Sequence, residues 1–151
     1  MGDAIQNITH AIQLISEIQH LKITKKASYY LSKAWGKTDQ SDFVNSAIEI
    51  ECCLTPEQLL GSLQQIEKLM GRVKNEKWGP RIIDLDILTF SEMVVDLPHL
   101  KIPHPHITER SFVLVPLYEL NKKLFIVNKG FIDKFMNKKT AEKSIIKKYV
   151  L

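Results

Sequence analysis

Lys77-Trp78-Gly79-Pro80-Arg81-Ile82-Ile83-Asp84-Leu85-Asp86-Ile87-Leu88-Thr89-Phe90 is the stretch on which the fold and the chemistry of this 151-residue chain turn. From Ile82 onward its β-branched and aliphatic residues predict a buried strand. Side chains two apart on a strand share a face, so Asp84 and Asp86 project side by side, together with Ile82, Leu88 and Phe90. Ile83, Leu85 and Ile87 form the other face. Both faces are largely apolar, which predicts that the acids are not simply the wet side of an amphipathic strand. Adjacent carboxylates in a low dielectric repel each other unless a cation compensates them. Arg81 lies just upstream, after a Gly-Pro turn signal. Hard oxygen ligands on a rigid strand beside an arginine suit Mg²⁺ and a phosphate substrate. On spacing alone two other readings stay open: solvated acids near a sheet edge, or one half of a structural Arg–Asp pair.

Working outward, the segments before this strand carry clear periodicity. Ala4, Ile5, Ile8, Ala11, Ile12, Ile15 and Ile18 recur at three and four, which predicts an amphipathic helix from Asp3 to about Ile18 with Asp3 as its N-cap. Leu21 to Leu31 and Phe43 to Leu54 read as strands, and Ser32 to Asp42 between them as a loop. Thr55, Pro56 and Gln58 form a capping box at the start of a second helix. Its buried stripe is Leu59, Leu60, Leu63, Ile66, Leu69 and Met70, and Gly71 stops it. Arg72 to Lys77 is a short basic loop.

Beyond the acids, Met93-Val94-Val95 predicts a short return strand. Leu97 to Glu109 holds three prolines and three histidines, so irregular structure is expected there. Ser111 to Leu120 reads as a short helix with Ser111 near its cap, Leu124 to Val127 as a strand, and Phe131 to Met136 as helical. Helices and strands with short connections suggest a two-layer α/β sandwich.

Length fits one domain spanning residues 1–151. Hydrophobic residues at 44% and charged residues at 25% are ordinary globular values, so a disordered or fibrous chain is excluded. No run approaches the roughly 20 apolar residues of a membrane span, and Met1-Gly2-Asp3-Ala4 is not a secretory signal. Cys52 and Cys53 are adjacent and would face opposite ways on a strand, so reduced thiols and a cytoplasmic location are expected. Nine lysines against two acids give residues 122–151 a net +7, which leaves −3 of the chain's +4 for the preceding 121 residues. This basic C-terminal extension could touch an anionic partner. It has no arginine and no evident stacking platform, so a solvated, partly helical tail is the expectation.

Neither glycine-rich phosphate loop is present: G-x-x-x-x-G-K-[ST] and G-x-G-x-x-G are both absent, as is the G-x-S-x-G nucleophile elbow. If ATP binds, side chains and metal must hold its phosphates, and the candidates are Arg72, Lys74, Lys77, Arg81 and Arg110. His99, His104 and His106 invite a zinc reading, but no third ligand stands at a recognised spacing. A histidine that donates to a phosphate fits as well. Trp35, Phe43 and Phe112 flank loops, and for each taken singly core packing is the expected role. Asn45 lies two positions from Phe43, on the same face, where an amide offers a donor and an acceptor to a heterocycle edge.

These residues together carry a specific resemblance. Trp78-Gly79-Pro80-Arg81-x-x-Asp84-Leu85-Asp86-Ile87 resembles the signature of the 6-hydroxymethyl-7,8-dihydropterin pyrophosphokinases, enzymes of folate biosynthesis. Asp39-Gln40-x-Asp42-Phe43-x-Asn45 is similar to the family's pterin-side strand. Ile66-Glu67 with Gly71-Arg72 resembles its helix end, and Pro103-His104 followed by Arg110-x-Phe112 its later loop. Order and spacing agree from about Gly2 to Leu120.

The resemblance implies a ferredoxin-like α+β two-layer sandwich with a mainly antiparallel sheet. It implies an ATP- and Mg²⁺-dependent enzyme that transfers diphosphate from ATP to the hydroxymethyl group of the reduced pterin, with release of AMP. Asp84 and Asp86 would hold two Mg²⁺ ions along the triphosphate. Arg81 and Arg110 would pair with phosphate oxygens, and His104 would donate to the phosphate chain. Phe43 and Phe112 would sandwich the pterin, Asn45 would read its edge, and Ser32 and Trp35 would complete that side. Glu67, Arg72, Lys74, Trp78 and Ile87 fall on the nucleotide side. The loops around Ser32 to Asp42 and around Arg72 to Trp78 would be lids.

The sequence departs from the family at three places. Family members begin with a short hydrophobic strand and a Gly-Ser-Asn turn before the position of Met1-Gly2-Asp3, and this chain has neither. The expectation is a sheet without its first strand, with Met1 either internal to a longer protein or the start of a natural truncation. Lys33-Ala34 stands where a proline or an acid usually follows the position of Ser32, and Lys74 where arginine is also used. Two competing readings therefore accompany the enzyme: a poorly active or non-catalytic pterin- and ATP-binding homologue, and a nucleic-acid module using the lysine tail. The expected partners are the two small substrates, with neither nucleic acid nor membrane, and association with other folate-pathway enzymes is left open.

Overall fold

The computed structural model describes residues 2–32, 43–71, 82–136 and 145–149. Its first element is α1 (Gly2–Ser16), whose apolar stripe buries Ala11 and Ile15; Asp3, expected as the cap, lies inside the helix. A bent antiparallel ribbon follows. β1 (Leu21–Lys26) pairs with β4 (Ile48–Cys52), and β2 (Tyr29–Ser32) pairs with β3 (Phe43–Asn45). The two spans expected as single strands are thus each broken in two.

The break has a local cause. The Ser46 hydroxyl lies 3.1 Å from the Ala27 carbonyl and 3.0 Å from that of Ser28, and the Ala27 N–H donates to the Ala47 carbonyl at 2.9 Å. Such side-chain-to-backbone bonds offer the chain an alternative to a continuous ladder.

α2 (Pro56–Gly71) opens with the expected capping box. The Gln58 N–H donates to Thr55 Oγ1 at 3.2 Å, and the Thr55 N–H donates to Gln58 Oε1 at 3.0 Å. Leu59, Leu63 and Ile66 are buried. Leu69, expected in the same stripe, is 69% exposed, because the line from Leu59 through Leu63, Ile66 and Met70 takes the inward face and leaves Leu69 on its flank.

Residues 83–90 correct the central expectation: no strand among the described residues pairs with them. Exposure still alternates with period two, since Ile82, Asp84 and Asp86 face out while Ile83, Leu85 and Ile87 face in. A strand-like sequence pattern persists without a ladder.

β5 (Val95–Leu97) and β6 (Leu100–Ile102) then form a hairpin where the return strand was expected at 93–95 and irregular chain from 97 onward. The prolines flank this hairpin instead of interrupting it: Pro98 lies in the turn and Pro103 just beyond β6. α3 (Ser111–Leu120) matches its predicted span, with Arg110 at its N-cap and Ser111 next to it, as expected. β7 (Phe125–Ile126) pairs with β8 (Gly130–Phe131), and a 3-10 turn covers Ile132–Phe135.

The tail differs from the solvated, partly helical expectation. β9 (Ile145–Tyr149) joins the far edge of β2, giving the order β3-β2-β9. An Ile-Ile pair and a tyrosine give this segment strand propensity, and β2 offers an open edge.

Two apolar clusters hold these elements. Ile15, Leu59, Leu63, Ile66, Ile87, Leu100 and Ile102 form one, which joins α1, α2, the acid segment and the β5–β6 hairpin. Ile107, Leu114, Leu117, Ile126 and Ile132 form the other, under α3. Leu85, Ile87 and Phe90 belong with the first and Leu88 with the second, so the acid segment touches both clusters. The architecture is α+β, with three helices and small antiparallel sheets among the described residues. No helix among them is long and apolar enough to cross a membrane.

Candidate active site

α2 seats the acid segment at two points. Glu67 Oε2 accepts the Leu85 N–H at 2.9 Å, which fixes the backbone midway between Asp84 and Asp86. One turn further along α2, a Cβ on Gly71 would lie 3.0–3.1 Å from the side chain of Ile82, so only glycine lets the segment pass this close to the helix end. Downstream, the His104 N–H donates to the Leu88 carbonyl at 2.9 Å and ties the segment to the chain beyond β6.

Asp84 and Asp86 are both exposed, contrary to the low-dielectric setting read from the sequence. The acid face is covered in its later half only: Leu88 and Phe90 are partly buried, but Ile82 is 45% exposed. Capture of a cation therefore draws on two adjacent charges at the surface, not on relief of a desolvated pair. Ile87, expected on the nucleotide side, is 8% exposed and part of the core, so its backbone is what remains to face a ligand.

His104 stands against this pair. Its Nδ1 accepts the His106 N–H at 3.1 Å, which leaves Nε2 to carry the ring proton and to donate outward. Burial pushes the His104 pKa down, the charge of Asp86 raises it, and Arg110 and His106 lower it again. The result is an imidazole biased to the neutral donor form beside Asp86 and Arg110. The Arg110 guanidinium lies 5.7 Å from the centre of the Phe112 ring, so the arginine and the aromatic share one side of α3's start. His106 instead engages Glu109, Nδ1 to Oε2 at 2.7 Å, and this bond first, then the charge of His106, holds the Glu109 carboxyl below its usual range. Among the described residues no group of three or more His, Cys, Asp or Glu is placed to hold a metal ion. Two carboxylates with water and phosphate oxygens suit Mg²⁺, which keeps most of its own waters.

The aromatic side is built on the β2–β3 ladder, where Ser32 stands opposite Phe43 and Tyr30 opposite Asn45. Phe43 is 53% exposed, which overturns the expectation of core packing for this residue. Phe112 and Asn45 are half-buried, and Ser32 is buried. α3 packs on both β2 and β3, which brings the helix that carries Phe112 to the ribbon that carries Phe43. Trp35, Arg72, Lys74, Trp78 and Arg81 lie outside the described residues, as do Lys77 and the two expected lids apart from Ser32.

Sequence reading passed over Tyr30 and Glu119. Their link is a long-range hydrogen bond between a strand and a helix 89 positions apart, for which no local pattern exists.

Outward paired carboxylates, a neutral imidazole donor, an arginine and an exposed aromatic define a candidate site for a phosphate-bearing small molecule with a flat ring. The family model for 7,8-dihydro-6-hydroxymethylpterin-pyrophosphokinase matches residues 1–122. Three similar proteins all bear the name 2-amino-4-hydroxy-6-hydroxymethyldihydropteridine pyrophosphokinase. The one from Haemophilus influenzae is 36% identical over 147 residues, covering 97% of this chain and 91% of its own. Those from Aquifex aeolicus and Pseudomonas aeruginosa are 40% and 41% identical over 120 residues, covering 80% of this chain and 74% of theirs. The chain belongs to the 7,8-dihydro-6-hydroxymethylpterin-pyrophosphokinase family.

Proposed function

We infer that the chain is a pyrophosphokinase of folate biosynthesis, with ATP as co-substrate and 6-hydroxymethyl-7,8-dihydropterin as acceptor. The hydroxymethyl oxygen bonds to the β-phosphorus while the bond from that phosphorus to the α,β-bridging oxygen breaks, and AMP leaves. The observation that carries this reading is the nearness of His104 to Asp86 and Arg110, with Asp84 two residues from Asp86, on a chain matched by the family model over residues 1–122.

The chain's own residues divide the work. Asp84 and Asp86 carry hard carboxylate oxygens on an exposed face and would hold Mg²⁺, two ions in all, which when bound would offset the charge that grows on the phosphates. Arg110 and Arg81 would pair with phosphate oxygens through forked N–H groups. The neutral His104 ring would donate from Nε2 to the phosphate chain without adding a proton that could be lost. Phe43 and Phe112 would stack on the two faces of the pterin, Asn45 would match its edge, and Ser32 and Trp35 would line the same side. Glu67 would act through the Leu85 N–H, keeping both carboxylates in register, and Arg72, Lys74, Trp78 and the Ile87 backbone would serve the nucleotide. The reading includes a single domain over 1–151 and a ferredoxin-like sandwich. It also includes a cytoplasmic location.

One observation favours a second reading, a homologue that binds both substrates and turns over poorly. Residues 83–90 find no ladder among the described residues, so fewer bonds hold the acids. The test is product analysis of ATP mixed with the pterin and Mg²⁺. Stoichiometric AMP and pterin diphosphate, absent when either the metal or the pterin is left out, is the expected result. Binding of both substrates without AMP release would establish the second reading in its place.

A further inference from the structure

Glu119 lies at the far end of α3 from the site, yet it is the most heavily bonded carboxylate that the described hydrogen bonds show. Its Oε2 accepts both the Ser28 N–H and the Ser28 hydroxyl at 3.0 Å, and its Oε1 accepts the Tyr30 hydroxyl. Next to it, Lys25 Nζ donates to the Leu120 carbonyl at 3.2 Å. The C-terminal end of α3 is thereby clasped to the chain that enters β2. Burial, then the hydrogen bond and the charge of Glu119, push the Tyr30 hydroxyl well above the usual phenol range, so it stays a donor.

The two ends of this clasp matter for the aromatic side. Tyr30 and Ser32 stand opposite Asn45 and Phe43 on the ladder, so whatever fixes β2 fixes those two. Phe112 is seven residues from Glu119 on the same helix, a separation of about 10 Å at 1.5 Å per residue. A helix pinned at one end keeps its other end in register with the ribbon. The apolar contacts of Leu114 and Leu117 hold α3 down, but they are non-directional and resist tilting less than fixed hydrogen bonds do.

We propose that Glu119 is a positioning residue for the pterin slot, setting the spacing and tilt between the Phe43 face and the Phe112 face through its bonds to Ser28 and Tyr30. The inference rests on the reading of Phe43 and Phe112 as the two walls of that slot. The hydrogen bonds described for Glu119 run to Ser28 and Tyr30 on the β2 side, so its effect is expected on the pterin.

The test measures dissociation constants for the pterin, with a non-hydrolysable ATP analogue saturating, and for that analogue alone, in wild type, Glu119→Ala, Tyr30→Phe, Phe43→Ala and Phe112→Ala. Expected is a loss of pterin affinity of about fourfold in Glu119→Ala, somewhat less than removal of a wall outright, and a smaller loss in Tyr30→Phe, as lost preorganisation weakens binding. The analogue's affinity stays within about twofold in both, since those contacts are untouched. Glu119→Gln, which keeps an acceptor oxygen for Tyr30 but puts an NH₂ where Oε2 accepts both Ser28 donors, falls between. If Phe43→Ala and Phe112→Ala lose pterin while Glu119→Ala and Tyr30→Phe do not, the positioning role is wrong and the slot stands. Wild-type pterin affinity in both aromatic variants overturns the slot and the inference with it. Equal losses of pterin and analogue in the Glu119 and Tyr30 variants, tracking a fall in melting temperature, would make the clasp merely structural.

Discussion

Asp84 and Asp86 stand on a segment that no described strand pairs with, whereas Phe43 and Asn45 stand on a ladder that continues through β2 to β9. The acids are placed by inward-facing Leu85 and Ile87, by one side-chain bond from Glu67 and by the His104 N–H. The aromatic ribbon is placed by backbone pairing and by the Glu119 clasp. The contrast teaches that the two halves of the site are held by different means. A charge pair that meets a solvated metal tolerates a lightly tethered support, because coordination is completed by water and phosphate oxygens. A flat ring held between two walls needs those walls fixed in advance.

Changes on the acid side should therefore affect turnover, and those on the ribbon affinity. The largest effect is expected from Asp84→Ala and Asp86→Ala, each lowering turnover by about a hundredfold or more as metal-borne charge stabilisation is lost. Both side chains are exposed, so thermal unfolding should put either variant within about 0.5 kcal/mol of wild type. Next comes Glu67→Ala. It strands the half-buried Leu85 N–H, at a stability cost of about 1–3 kcal/mol, and lowers turnover by roughly tenfold. Glu67→Gln keeps an acceptor and should recover most of both, which steady-state kinetics and denaturant melts would show. A Glu67→Ala enzyme of wild-type rate would mean that the segment holds its register by core contacts alone.

Smaller is Phe43→Ala, where loss of one stacking wall removes about 1 kcal/mol of binding, roughly a fivefold change in pterin affinity. With the ring 53% exposed, the melting temperature should hardly move, and calorimetric titration beside a melt checks both. Least of all for the site is Thr55→Ala. Breaking the capping box should destabilise the chain by about 1 kcal/mol and leave turnover unchanged, because the cap lies at the end of α2 away from Glu67 and Gly71.

Local chemistry was legible where it acts within a few residues. The capping box at Thr55 and Gln58, the stripe of Leu59, Leu63 and Ile66, and the span of α3 all follow from spacing. Strand boundaries were harder. Ser46 diverts its hydroxyl to two carbonyls and splits what composition alone reads as continuous strands. The prolines around β6 suggested irregular chain, but they sit outside the three residues that pair. The acid segment shows both sides of the matter. Its alternation was readable, but its partner was not, because pairing is a long-range property and a side chain from α2 takes the Leu85 N–H instead. The exposure of Asp84 and Asp86 likewise depends on what covers a face, which apolar composition does not specify. Tyr30 and Glu119 went unread for the same reason. β9 was hidden by its lysines, which read as a solvated tail, while its pairing depends on the free edge of β2.

The central claim is that Asp84 and Asp86 bind the metal that serves the triphosphate. The most direct measurement counts Mn²⁺ bound per chain, by paramagnetic resonance of free ion, with a non-hydrolysable ATP analogue and the pterin both present. Wild type should retain two ions per chain, and the Asp84→Ala, Asp86→Ala double variant should lose them while melting as wild type does. A double variant that binds the same number of ions with the same affinity would contradict the account.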